Sequence, residues 1–364
     1  MTKINKHNLP FLVIGILALL TALLGGLMRA GWQLPALSIN LSLLHGPIMV
    51  GGFLGTVISL ERAVALNKKW SYLAPLSTAL GIITLWISPL NFLSPWLILT
   101  GSVILIFIFL EFQKLKNSVD IFLMNVAALV WAVSNLLWIS GQPFYQLSMW
   151  WIVFLLLTIT AERMQLSGLG QKKWSSNSGY FTGLFFVFAA LIVSFTLAEL
   201  SWYLLAAGFI IFAIWLLRYD IARRTIRHKG LTRFIAACLL SGYFWLLVAG
   251  ILVFIEVPVA GGLMYDAVLH ALFVGFVFSM IFGHAPIIFP AIIGAPIDFH
   301  GRFYLHFGLL QLSLLFRVIA DIMGWLDGRS LGSMLNVIAI LLFLINTVSS
   351  IIGNFVRSRS AAIK

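Results

Sequence analysis

Four histidines, His45, His270, His284 and His306, lie inside stretches apolar enough to cross a bilayer. Imidazole in hydrocarbon costs free energy unless it is hydrogen-bonded, paired or bound to something, so intramembrane histidines are functional candidates. Neutral imidazoles from two helices at one depth can ligate a haem iron axially, and a nearby guanidinium pairs with carboxylates such as propionates. His45 and His270 form the pair at matched depth, with Arg317 as the guanidinium and Arg29 in reserve. His284 follows His270 by fourteen residues, which is ~21 Å of regular helix. That depth matches His306 and makes a second pair suited to a metal. Met49 lies one turn after His45 and Met280 one turn before His284, on the same helix faces, and a thioether beside imidazole suits Cu(I). Each of these residues also has a plainer role: membrane histidines bond neighbouring helices, methionines fill gaps, and Arg317 with Asp321, four residues apart, neutralise each other.

These side chains must be held by membrane helices. Of the 364 residues 61% are hydrophobic and 9% charged, which excludes an ordinary soluble globule. Apolar runs of about 18 to 26 residues, long enough to span a bilayer as helix, fall near 9-29, 38-60, 71-89, 93-112, 120-140, 144-161, 179-198, 200-217, 232-255, 265-290, 302-324 and 332-356. The expectation is an all-α polytopic membrane protein of about twelve transmembrane helices, residues 1-364 forming a single transmembrane domain. Runs this evenly apolar favour helices over the alternating strands of a barrel. The single cysteine, Cys238, rules out an intrachain disulfide.

All 23 Lys and Arg except Arg29, Arg317 and Arg329 fall on one side of this map. By the positive-inside rule both termini lie in the cytoplasm. The net charge of +12 then reflects topology and contact with anionic lipid rather than nucleic-acid binding.

Spans two and six end alike, Glu61-Arg62 then Lys68-Lys69-Trp70 against Glu162-Arg163 then Lys172-Lys173-Trp174. An offset of four spans suggests three repeats of four helices, 9-112, 120-217 and 232-356, with spans two, six and ten equivalent. Spans two and ten carry histidine, while span six places Gln146 near the corresponding point. The plainer alternative is that helices ending at one membrane face commonly finish in basic residues and a tryptophan anchor. Gly51, Gly52 and Gly55 on span two, and Gly275 and Gly283 on span ten, allow close approach of helices or of a flat macrocycle. Pro286 and Pro290 are expected to kink span ten.

The segment His45-Gly-Pro-Ile-Met49-Val-Gly-Gly52-Phe53-Leu54 resembles the NnrS family pattern of His, Met four residues on, then Gly-Phe-Leu. Similar stretches are His270-Ala-Leu-Phe-Val-Gly275, Met280, His300-Gly301-Arg302 and Leu315-Phe316-Arg317-Val318. Where that family usually has a second His and a Glu, this chain has Pro47 and Ile48. The resemblance implies a membrane protein associated with haem b and copper that binds, senses or detoxifies nitric oxide, a small gaseous ligand. More distantly, the span count and histidine placement are similar to the catalytic subunit of haem-copper oxidases, without the paired histidines of its span ten. The competing expectation is a secondary transporter using Arg317 and Asp321 as a coupling or substrate site.

Overall fold

The computed structural model describes residues 5–34, 41–88, 92–167 and 174–363, the side chains of 174–176 and 354–363 excepted. Lys172 and Lys173 of the repeated motif lie outside the described residues. Twelve long helices occur among the described residues, in which no strand is found. They are α1 Leu9–Arg29, α2 Leu41–Leu66, α3 Lys69–Ile87, α4 Leu93–Leu115, α5 Val119–Ile139, α6 Phe144–Leu166, α7 Trp174–Val193, α8 Ala198–Tyr219, α9 Gly230–Ile255, α10 Leu263–Ile293, α11 Phe303–Ile322 and α12 Leu326–Ile363. Eleven are long and apolar enough to cross a membrane, and α7 contributes a shorter apolar stretch, Asn177–Val193. The fold is that of an all-α polytopic membrane protein.

Contacts divide the chain into two compact units, one of residues 4–162 with 291–294 and one of 1–3, 163–290 and 295–364. Without water to drive burial, helices in a bilayer associate through close packing at small residues. In the first unit a Cβ placed on Gly25 of α1 would lie 2.4 Å from Leu41 O of α2, so only glycine permits this approach. On α2, Gly52 packs against Ile82 and Gly55 against Trp131, where an added Cβ would come within 2.5 and 2.6 Å. Trp131 is stacked on Phe154 at 4.9 Å.

Helix α2 is not regular throughout. Pro47 lies inside it, lacks an N–H and crowds the carbonyl four residues back. A π-helical segment, Ile48–Leu54, follows at once, and the Gly55 N–H donates to Val50 O, five residues back. Regular helix resumes from Gly55 and ends at Asn67, whose φ of 54° is left-handed, a conformation asparagine tolerates.

In the second unit α10 also widens, to π-helix over Ala271–Phe278, directly after His270. The distance from His270 to His284 therefore does not follow from counting 3.6 residues per turn, because the turns between them are wide. Helix α10 runs on to Ile293 with Pro286 and Pro290 inside it. Gly275 in the wide segment takes the indole of Trp245 from α9; an added Cβ would sit 2.4 Å from its Cγ. Trp245 Nε1 donates to Gln311 Oε1 of α11 at 2.7 Å, and Gln311 Nε2 donates to Ser279 Oγ at 3.1 Å. This chain ties α9, α10 and α11 together just past the wide turns.

Candidate functional site

His45 stands in the second turn of α2 with Nδ1 2.6 Å from Ala22 O of α1. A carbonyl oxygen only accepts, so Nδ1 carries the hydrogen and Nε2 the lone pair. His270 Nδ1 lies 2.7 Å from Asp266 O, and His284 Nδ1 lies 2.8 Å from Met280 O. All three imidazoles thus take one tautomer, the one in which metal-ligating histidines are held by their other ring nitrogen. For His270 and His284 the acceptor is the carbonyl one helical turn back; for His45 it belongs to another helix. The opposite face of the His45 ring is covered by Gly26, where a Cβ would come within 3.0 Å of Cε1.

His306 differs. Asn346 Nδ2 donates to its Nδ1 at 3.0 Å, which leaves the hydrogen on Nε2. Phe234, Phe282, Phe303 and Phe343 enclose the ring at centroid distances between 5.0 and 6.0 Å. Nε2 of His306 and of His284 are both buried without a hydrogen-bond partner. Met280 packs its methyl end over Gly242 of α9, and Met49 is buried within the wide turn of α2. Among the described residues no three His, Cys, Asp or Glu group closely enough to hold a metal ion.

A charged network surrounds the start of α10. Asp266 Oδ2 accepts from Arg317 Nη2 of α11 at 2.6 Å and from Arg329 Nε of α12 at 3.2 Å. Asp321 Oδ1 lies 3.3 Å from Arg329 Nε, and its Oδ2 lies 3.9 Å from Arg317 Nε. His270 Nδ1 lies 3.5 Å from Asp266 Oδ1. Asp266, Arg317 and Asp321 are buried. With His270 neutral, two carboxylates balance two guanidinium groups, which is how ionic groups survive where solvation is lost. Helix α12 reaches this cluster because Gly332 lets it lie on the Arg317 backbone; an added Cβ would sit 2.8 Å from Arg317 Cβ.

The Glu-Arg pairs of the proposed repeat are also partnered. Arg62 Nη2 lies 3.3 Å from Glu61 Oε1 and 3.4 Å from Glu162 Oε1, so the ends of α2 and α6 meet. Arg163 holds Asp220 with two hydrogen bonds, of 2.9 and 3.1 Å, and Ser167 Oγ adds a third to the same carboxylate.

One family model matches residues 8–352, nearly the whole chain. The chain belongs to the family described as a domain of unknown function (DUF8744). Neither curated proteins nor solved structures give a match. The stretch matched to DUF8744 contains every candidate residue named so far, so the site belongs to the family's domain and not to an appendage.

Two members of the charged cluster escape a reading of spacing alone. Asp266 precedes His270 by four residues inside an apolar run, a spacing that puts both on one helix face. Arg329 reads as an interhelix residue, yet it begins the helix that packs on Arg317. Gly25 and Gly26 look like any small pair in a membrane helix until His45 is placed against them. Arg29 Nη1 reaches Ser42 O at 3.5 Å, which puts its guanidinium at the α1–α2 corner that carries His45.

Proposed function

We propose that this protein is a haem-binding integral membrane protein of NnrS-like type, in a cell inner membrane with both termini cytoplasmic, that binds or senses nitric oxide. Nε2 of His45 in the first unit and Nε2 of His270 in the second are each candidate iron ligands in this reading. The observation that supports it is the shared tautomer: an Nδ1–H donated to a backbone carbonyl raises the basicity of Nε2 and fixes the ring. Haem b, when bound, would supply an iron able to take a small diatomic ligand at a position not held by an imidazole. Arg29 is assigned to propionate, since Arg317 is committed to Asp266. Less supports copper at His284 and His306, because His306 keeps its hydrogen on Nε2 and no third ligand approaches among the described residues. Protein purified after expression with haem precursor is expected to show a Soret band that disappears in His45→Ala and in His270→Ala. A wild-type spectrum without that band overturns the reading.

A second reading, secondary transport, draws on Asp321, whose two carboxylate oxygens are buried and accept no hydrogen bond. A carboxylate held only by the proximity of Arg317 and Arg329 is suited to exchanging its partner during a transport cycle. Flux in proteoliposomes from metal-free protein, abolished by Asp321→Asn, is the result expected of it. Equal flux in the variant and the parent would remove Asp321 from any transport step.

A further inference from the structure

A groove of about 870 Å³ opens between the start of α3 and the second half of α4. Its volume lies in the range of small-molecule sites, roughly 300–1,000 Å³, and its lining passes from apolar to polar along helix α4. Ile104, Phe107, Glu111 and Lys114 of α4 line it, spaced by three, four and three residues, so they share one helix face. From Ile104 to Lys114 that face runs ~15 Å, half of the ~30 Å hydrocarbon thickness. Leu73 of α3 forms part of the facing wall, and Lys68 and Trp70 stand at its mouth. Glu111 pairs with both Lys68 and Lys114, the second at 2.7 Å. Two ammonium groups thus share one carboxylate, leaving one positive charge in excess over an apolar slot one leaflet deep, with a tryptophan at the depth where indoles sit.

We propose that this groove binds one anionic phospholipid, its phosphodiester on Lys68 and Lys114 and an acyl chain along Leu73, Phe107 and Ile104. One negative phosphodiester cancels the one excess positive charge, and the slot ends where a single leaflet ends. The site is independent of the iron reading: it lies within the first unit and involves no histidine.

Native mass spectrometry of the full chain in detergent, titrated with phosphatidylglycerol or with phosphatidylcholine of the same chains, tests this. Phosphatidylglycerol is expected to bind as a single tight adduct, preferred over phosphatidylcholine. At about fivefold per lysine, Lys68→Ala with Lys114→Ala should erode that preference about twenty-five-fold. Glu111→Gln, which removes the competing carboxylate, should strengthen it. Equal binding of the two lipids by the parent protein overturns the proposal, as does unchanged preference in the double variant. Inorganic phosphate that competes as well as the lipid would show a free-anion site and overturn it too. Helical circular dichroism confirms that each variant is folded.

Discussion

Asp266→Asn is expected to destabilise the protein by about 3–5 kcal/mol, the cost of breaking a buried ionic group by removing one partner. In the native cluster Asp266 takes hydrogen bonds from both Arg317 and Arg329. Asparagine is the same size but neutral, so two guanidinium groups are left against Asp321 alone, in a region where water cannot take up the surplus charge. The carbonyl of residue 266 still accepts from His270 Nδ1, so that backbone hydrogen bond survives the substitution. The measurement is unfolding in detergent, followed by helical circular dichroism against denaturant. Combining Asp266→Asn with Arg317→Gln restores charge balance, and the double variant should lose less than the two single losses added together. A single-variant loss under about 1 kcal/mol, the worth of an exposed ion pair, would mean that the cluster is solvated.

Gly25→Ala is the second large effect, and it acts through the backbone. The added methyl would stand 2.4 Å from Leu41 O and 3.4 Å from His45 Cβ. No side-chain rotation relieves contact with a carbonyl oxygen, so α1 and α2 must separate. Overpacking of this kind costs about 1–3 kcal/mol, and separation also stretches the bond from His45 Nδ1 to Ala22 O. Under the iron reading the same substitution should shift or weaken the Soret band, although residue 25 contributes no ligand. Gly353→Ala serves as the control, because an added Cβ there meets nothing within 4 Å. Stability equal to the parent in Gly25→Ala would show that the two helices are not held at this distance.

Much of the architecture is legible along the chain. The apolar runs read from hydropathy correspond to the twelve long helices with shifts of a few residues at most ends; the span read at 179-198 forms α7 from Trp174 to Val193. Hydropathy is a local property, and a bilayer accepts only segments whose backbone bonds close within themselves, so one residue string specifies each crossing. The wide turns of α2 and α10 are harder to read. Pro47 signals the first, whereas Ala271–Phe278 contains no proline and its widening accompanies the packing of Gly275 on Trp245.

For the site, the chain alone identified the costly residues, because a histidine, arginine or aspartate in an apolar run is conspicuous wherever it lands. Arg317 and Asp321 were paired on spacing, yet the shortest contact of Arg317 is with Asp266, 51 residues earlier. Composition and hydropathy thus determined that the chain forms long apolar helices of a polytopic membrane protein and which polar groups they carry. Tertiary structure alone decided which of those groups meet, which ring nitrogen of each histidine holds the hydrogen, and which glycines bring the helices close enough for it. Those outcomes depend on distances of a few ångströms between segments far apart in the chain, and no local pattern encodes them.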